Sequence, residues 1–309
     1  MTSLFQQRLH FFTGKGGVGK TTIASLFALI AASRGKKVLL IDLDPESPVS
    51  CLFNTEKGTM TPKPLAPNID GVLIDPLSSL REFIIRQIKI EKIYDLIFEN
   101  KIFHFFVKAA PGVEEMALIG KMYYLSDERS GKKPRWDILI VDAPATGHAL
   151  YLFKIPKVFI DLTQKGPLAE QSQKIYSMLT EKKETAIHLV TIPEELPVQE
   201  TLELFNEIKK LRLPMGELFL NKKLEAFENN GILRTIGLWG SQNDMGSLLK
   251  KIEQTLLHYQ TRQKIQQSYE DRLEKELSKK SFKIPWILKE APDLSALKKL
   301  GKEIEKQWA

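Results

Sequence analysis

The chain has 309 residues, a formal net charge of +7 and one cysteine, Cys51. This length can bury a large core and is compatible with one α/β domain that carries an insertion or with two domains. A single cysteine excludes an intrachain disulfide and a cysteine-based zinc cluster within the chain. No apolar run approaches the roughly 20 residues of a membrane span, and the N-terminus shows no signal-peptide pattern, so we expect a cytoplasmic protein. The lysines form scattered pairs such as Lys182-Lys183, which is typical of solvated helix faces, so we do not expect a nucleic acid partner.

The first predicted elements are a short apolar strand at 9–13 and a helix at 23–32, with a glycine-rich loop between them. The loop satisfies the phosphate-loop pattern G-x-x-x-x-G-K-[ST]. Its amides and the helix N-terminus would bind phosphate oxygens, Lys20 would reach the β- and γ-phosphates, and the Thr21 hydroxyl would bind Mg²⁺. The alternative is a glycine-rich turn between strand and helix without a ligand. The predicted nucleotide-binding residues are Gly14, Lys15, Gly16, Gly17, Val18, Gly19, Lys20, Thr21 and Thr22.

Lys15 directly follows the first glycine of the loop, and the resulting string GKGGVGKT is the deviant Walker A motif. In families with this motif, the additional lysine crosses a dimer interface and contacts the phosphates bound to the partner. A cation supplied in this way stabilises charge in the transition state, as an arginine finger does. The motif therefore predicts a dimer with nucleotides at its interface, and a solvated loop lysine is the alternative.

The segment 37–45 reads KVLLIDLDP and predicts a second buried strand with Asp42 and Asp44 at its C-terminal end. Open α/β sheets bind ligands at this end of their strands. Phosphoryl transfer to water needs a group that orients the water. Asp44 is the candidate for this group, with Asp42 near the metal, although Asp-Pro after a strand is also a common turn.

The segment 54–70 is polar and proline-rich, which predicts a loop. Apolar residues at helical spacing then predict helices at 77–93 and 94–107, and a third amphipathic helix follows the string APGVEE. Residues at about 54–135 are therefore predicted to form a mostly helical insertion within a single domain, 1–309. Its helices form either a groove for a client protein or a plain packed layer, and we favour the layer.

The segment 137–142, DILIVD, predicts another buried strand, and Asp142 at its end is suited to hold Mg²⁺ through water. The basic helix at the C-terminus either docks on the sheet, which we favour, or lies on an anionic membrane. The remaining predicted elements are strands at 186–192, 217–220 and 284–288, a crossover helix at 199–211, a long charged helix or helix pair at 248–280, and the C-terminal helix, 294–308.

Several strings of the chain occur in the same order and spacing in ArsA-type ATPases: GKGGVGKTT, IDLDPES, APGVEE, DAPATGHAL, TIPEELPVQET and LFLNK. The chain resembles this family over about residues 9–305, and its VDAPATGH string is most similar to bacterial ArsA-like members. The family contains the arsenite-pump ATPase and the ATPase that targets tail-anchored membrane proteins. The resemblance implies that Lys15 is the intersubunit lysine, that Thr21 binds Mg²⁺, and that Asp44 in switch I activates the attacking water.

The same resemblance implies that switch II extends from Asp142 to His148 and includes Thr146 and Gly147, and that Asn221 contacts adenine. His148 is either a switch contact or a histidine at the start of a helix. Two departures from the family pattern matter. The several cysteines of arsenite pumps and the zinc-bound C-x-x-C of the eukaryotic targeting ATPase are absent. A single phosphate loop also implies that the second half of the dimer is another chain.

We therefore expect an α/β P-loop NTPase with a mostly parallel sheet flanked by helices and a helical insertion. It would use ATP and Mg²⁺, with Asp44, Lys15 and Lys20 as catalytic residues, in a homodimer or a heterodimer with a related chain. Hydrolysis would open and close the dimer and act on a hydrophobic or membrane-associated protein client, in the cytoplasm or at the inner face of the membrane. The alternatives are a ParA- or MinD-like positioning ATPase on DNA or membrane and, third, an arsenite-pump ATPase.

Overall fold

The computed structural model describes residues 4–88, 110–163, 165–225, 246–287 and 293–307. The strands are β1 (Leu9–Gly14), β2 (Val38–Asp42), β3 (Lys63–Ala66), β4 (Ile69–Leu73), β5 (Arg129–Ser130), β6 (Lys133–Pro134), β7 (Ile138–Ala145), β8 (Thr185–Thr191), β9 (Met215–Lys223) and β10 (Ser281–Pro285). The helices are α1 (Lys20–Ser33), α2 (Pro48–Leu52), α3 (Pro76–Ile88), α4 (Val113–Asp127), α5 (Thr146–Thr163), α6 (Pro167–Thr180), α7 (Glu195–Lys210), α8 (Gly246–Leu277) and α9 (Leu294–Gln307).

The central element is an eight-stranded sheet in the order β10-β9-β8-β1-β7-β2-β4-β3, and β5 and β6 form a separate two-stranded sheet. Every pairing in the large sheet is parallel except that of β3 with β4. The register places Asp142 of β7 beside Phe12 of β1 on one side and beside Asp42 of β2 on the other. The C-terminal ends of these three strands therefore meet at one edge, where open α/β sheets bind ligands.

The central strands β1, β2 and β8 are buried on both faces because helices cover both sides of the sheet. In β2, Leu39 and Ile41 belong to the hydrophobic cluster on one face, while Val38 and Leu40 belong to the cluster on the other. This alternation follows from the two-residue period of a strand. It also explains why the central strands appear in the sequence as continuous apolar runs. The architecture is the predicted α/β P-loop NTPase fold.

The predicted loop at 54–70 is wrong over its second half, because β3 and the first two residues of β4 lie there. β4 pairs with β2, so this part of the predicted insertion belongs to the sheet. The sequence pattern that would predict β3 and β4 is weak for a physical reason. β4 buries only Ile69 and Val72, and its antiparallel neighbour β3 is an edge strand that contains proline, which an edge tolerates and a central strand does not.

The other boundaries are close to the predicted ones. α3 accounts for the described part of the predicted helix at 77–93, and the predicted helix at 94–107 lies outside the described residues. The long charged segment forms one helix, α8, and β10 begins three residues before the predicted strand at 284–288. β7 continues past Asp142 to Ala145.

The C-terminal helix α9 packs against α1. Its apolar stripe, Leu297, Leu300 and Ile304, is buried there, which is the docked arrangement that we favoured. These three apolar side chains are therefore covered by the protein itself. Within the described ranges, none of the helices combines the length and apolar character that a membrane crossing requires.

Candidate nucleotide-binding site

The phosphate loop joins β1 to α1, and two of its glycines lie where no other residue fits. A side chain at Gly14 would collide with the carbonyl oxygen of Val190 in β8. Gly19 has a φ of 91°, in the left-handed region, and a side chain there would collide with the Asn221 amide. The glycine spacing that identified the loop is therefore also required by its packing against β8 and β9.

Lys20 and Thr21 begin α1 and face the edge of the sheet. The Lys20 ammonium donates a hydrogen bond to the Lys15 carbonyl oxygen at 3.3 Å. Burial lowers the pKa of Lys20, while the nearby carboxylates of Asp142 and Asp44 oppose this shift. The Thr21 hydroxyl donates to Oδ2 of Asp142 at 2.5 Å. The structure thus brings together the lysine, threonine and aspartate that the sequence predicted for the site.

The Asp142 carboxylate is buried at the end of β7. Burial raises its pKa to about 7, and the charges of Asp42 and Asp44 add to the increase, while Thr21 and Lys20 oppose it. Its Oδ1 atom is buried and has no hydrogen-bond partner among the described residues. A partnerless carboxylate oxygen beside a threonine hydroxyl is a set of hard oxygen donors, which fits Mg²⁺.

Asp42 and Asp44 have different environments although they are only two residues apart. Asp42 is buried, and its two oxygens accept hydrogen bonds from the backbone N–H groups of Asp44 and Val49 at 3.0 and 3.3 Å. Asp44 is exposed, and its Oδ1 accepts the N–H of Glu46 at 2.9 Å. Asp42 therefore holds the backbone that follows β2, and Asp44 presents its carboxylate to the cavity.

A cavity of about 670 Å³ lies between the phosphate loop, the segment after β2 and the end of β7. This volume is in the usual range of ligand pockets, roughly 300–1,000 Å³. The described residues that line it are Gly16, Gly17, Gly19, Lys20, Thr21, Thr22, Leu43, Asp44, Pro45, Pro48, Asp142, Ala143, Pro144 and Ala145.

Lys15 lies outside the cavity that Lys20 and Thr21 line. It lines an adjacent open cavity of about 470 Å³ together with Gly16, Gly17, Val18, Ile192, Glu194, Glu195, Leu196 and Pro197. Its ammonium group forms an ion pair with Glu200 of α7, with Nζ and Oε1 2.6 Å apart. The charge of Lys15 is therefore directed outside the cavity that holds Lys20.

Only part of the predicted switch II segment lines the cavity. Ala143 to Ala145 line the cavity, and α5 begins at Thr146, whose buried hydroxyl has no hydrogen-bond partner among the described residues. Gly147 and His148 are exposed on the first turn of α5. His148 thus lies at the start of a helix, and a switch contact of this side chain stays a prediction.

Asn221 lies at the end of β9 and contacts the phosphate loop. Its amide nitrogen donates to the Val18 carbonyl oxygen at 2.8 Å, and its amide oxygen accepts the N–H of Lys222 at 2.9 Å. The Lys222 ammonium lies 3.4 Å from the Gly17 carbonyl oxygen. Sequence reasoning missed Lys222 and Glu200, although both lie in or beside the strings LFLNK and TIPEELPVQET.

The known proteins that this chain is similar to are ATPases. The family model described as anion-transporting ATPase (ArsA) matches residues 7–166 and 161–256, which include every residue of the site. The ATPase BagA of Mycobacterium tuberculosis is 34% identical over 233 residues, which cover 71% of this chain and 66% of that protein. The chain thus spans slightly less than two thirds of this relative. The arsenical pump-driving ATPases of Acidiphilium multivorum and Escherichia coli are each 26% identical over 250 residues, 76% of this chain and 42% of theirs.

Proposed function

This chain belongs to the ArsA-type family of anion-transporting ATPases, and on this premise we propose that it hydrolyses ATP with Mg²⁺ at the C-terminal edge of its sheet. The observation that carries the proposal is the hydrogen bond from Thr21 to Asp142, at 2.5 Å, with the second Asp142 oxygen buried near Lys20 and without a hydrogen-bond partner in the part of the chain that the structure describes. These groups converge at the N-terminus of α1, which is an anion-binding position in any helix.

The phosphates would bind to the backbone N–H groups of the loop, and Lys20 would exchange the Lys15 carbonyl for phosphate oxygens. Thr21 directly, and Asp142 through water, would hold Mg²⁺, which supplies positive charge to the phosphate oxygens when it is bound. Asp44 would accept a hydrogen bond from a water molecule and orient its oxygen toward the γ-phosphorus. The water oxygen then forms the new bond to phosphorus as the bond to the β,γ-bridging oxygen breaks.

We further propose that the active form is a dimer in which Lys15 reaches the phosphates bound to the partner. The support is the direction of its side chain, which faces Glu200 and a cavity outside the one lined by Lys20. Leu196, which lines the same outer cavity, is 66% exposed, so an apolar side chain lies beside Lys15 on this surface. A single phosphate loop per chain allows either a homodimer or a heterodimer.

The client that we propose is a hydrophobic or membrane-associated protein. Tyr151, Val158 and Leu162 of α5 are exposed, and their spacing places them on one side of the helix that begins within switch II. ATP hydrolysis at the site would therefore move α5, which carries these exposed apolar side chains. The second candidate, an arsenite-pump ATPase, is favoured by the names of the two pump relatives and opposed by the single cysteine.

The activity is tested by measuring phosphate release from ATP by the purified chain with and without Mg²⁺. We expect turnover that needs Mg²⁺ and is lost in Lys20→Ala, while Lys36→Ala, an exposed lysine beyond the end of α1, serves as the matched control. Phosphate release that is unchanged in Lys20→Ala would contradict the proposed site. Copurification of partners with an ATP-trapped form would then identify the client.

A further inference from the structure

The side chains of the last residues of β9 contact the backbone of the phosphate loop. Asn221 is 7% exposed, and its amide nitrogen donates to the Val18 carbonyl oxygen at 2.8 Å. In the sheet, β8 separates β9 from β1, so this side chain reaches across the end of β8 to the loop. The contact joins parts of the chain that are 203 residues apart.

A phosphate loop binds its ligand only when its N–H groups face inward and its carbonyl oxygens face outward. The Asn221 amide nitrogen donates a hydrogen bond to the Val18 carbonyl oxygen, and the Lys222 ammonium lies 3.4 Å from the Gly17 carbonyl oxygen. Both contacts favour this orientation of the loop carbonyl groups. The bond from Lys20 to the Lys15 carbonyl oxygen, in contrast, would be lost if Lys20 bound phosphate. The contacts from β9 can therefore persist when the ligand binds.

The orientation of the Asn221 amide is determined by its neighbours. Its oxygen accepts the N–H of Lys222 at 2.9 Å, which directs its nitrogen to the loop. That nitrogen occupies the space where a side chain at Gly19 would lie. Since both the nitrogen and the oxygen of the amide have hydrogen-bond partners in the protein, Asn221 contacts the loop without a bound base.

We propose that Asn221 is a positioning residue for the phosphates: it holds the loop in its binding conformation before the nucleotide arrives. This inference rests on the proposed nucleotide site and goes beyond a contact with adenine. A loop that is already ordered does not lose conformational entropy when the phosphates bind, so its order increases the affinity. Loss of the hydrogen bond to Val18 should weaken phosphate binding about three- to tenfold, which is the net effect of one typical hydrogen bond.

The test uses Mg²⁺-bound inorganic triphosphate, which has no base and no ribose. Isothermal titration calorimetry gives its Kd, and those of ATP and GTP, for the parent, for Asn221→Ala and for Asn206→Ala, an exposed asparagine of α7. We expect Asn221→Ala to weaken triphosphate and ATP by the same factor and to leave the ratio of the ATP and GTP constants unchanged. The control should match the parent. Unfolding temperatures without ligand show whether the loss is local.

An unchanged triphosphate Kd in Asn221→Ala would overturn the inference, and a lower ATP preference over GTP would then assign Asn221 to the base alone. Should Asn221→Ala lower the unfolding temperature, Asn221→Ser leaves a smaller cavity and is compared in the same way. Failure of the parent to bind either ATP or triphosphate would instead contradict the proposed function, so the two failures are distinguishable.

Discussion

The Lys15 ammonium nitrogen lies 2.6 Å from Oε1 of Glu200 in the same chain. Their side chains are 30% and 37% exposed, so water screens the pair. Such ion pairs contribute at most about 1 kcal/mol to stability. The pairing therefore directs Lys15 away from the cavity of its own chain and can be exchanged for another anion at small cost.

The first prediction concerns Glu200→Gln, which removes this competing anion. If Lys15 binds the phosphates of the partner, the nucleotide-dependent dimer should become stronger by up to about fivefold for each Lys15–Glu200 pair that is removed, since one pair is worth at most about 1 kcal/mol, and by up to about 30-fold in a homodimer, which breaks two pairs. Sedimentation velocity with a non-hydrolysable ATP analogue measures the dimer, and Glu203→Gln on the same helix is the control. A weaker dimer would mean that Glu200 orients Lys15 toward the partner.

The second prediction concerns Lys15 itself. Lys15→Ala should lower turnover on the order of 10³-fold, as loss of a trans-acting arginine finger does, and ATP affinity of the monomer should change little because Lys20 remains. Mixing Lys15→Ala subunits with Asp44→Asn subunits should restore activity in half of the sites of mixed dimers. A mixture that stays inactive although mixed dimers form would place the action of Lys15 within its own chain.

The third prediction is that Asp44→Asn keeps nucleotide affinity and loses most turnover, because water loses its orienting carboxylate while the phosphate loop stays intact. Positioned acid–base groups typically contribute about 10²–10⁴-fold. Steady-state phosphate release measures the effect, and Glu46→Gln, an exposed neighbour, is the control. Turnover within about threefold of the parent would fall outside the range for such a group and exclude Asp44.

The fourth prediction concerns His10 and His188, which are buried in the sheet. His10 donates from Nε2 to the Gln7 carbonyl oxygen, His188 donates from Nε2 to Nδ1 of His10 at 3.0 Å, and Nδ1 of His188 accepts the N–H of Glu217. Each ring nitrogen thus has a partner only when both rings are neutral. Burial lowers the pKa of His10 to about 4 and that of His188 well below its usual value.

Because the unfolded chain binds protons on these rings below about pH 6.5 and the folded chain does not, the free energy of unfolding should be highest above that pH. It should fall as the pH decreases from about 6.5 toward 4, by up to about 1.4 kcal/mol per pH unit for each ring. Urea unfolding at several pH values measures this slope. His10→Asn should reduce the slope and His258→Gln, an exposed histidine, should not; equal slopes in all three proteins would refute the assignment.

The fifth prediction is that arsenite does not stimulate hydrolysis. The chain has one thiol, Cys51, which is exposed on α2, and one thiol cannot form a three-coordinate soft-ligand site within a chain. Phosphate release across an arsenite titration measures the response. Saturable activation that disappears in Cys51→Ser would contradict this prediction and would imply that two Cys51 side chains meet at the dimer interface.

The sequence alone determined the parts of the site that depend on local chemistry. The phosphate-loop glycines, the apolar runs of β2 and β7 and the aspartates that follow or end them are all encoded within short segments. Glycine spacing reports backbone conformation directly, and a strand buried on both faces must be apolar throughout. The fold class and the candidate site residues could therefore be predicted before the structure.

Only the tertiary structure decided which side chains meet. Lys15 and Glu200 are 185 residues apart, and Thr21 and Asp142 are 121 apart. Their contacts depend on strand order and register. β4 escaped prediction because only two of its side chains are buried, and the hydrogen bond from Asn221 to the Val18 carbonyl oxygen has no signal in the local sequence. The partner of a polar side chain is set by the sheet that brings distant segments together, which no local pattern encodes.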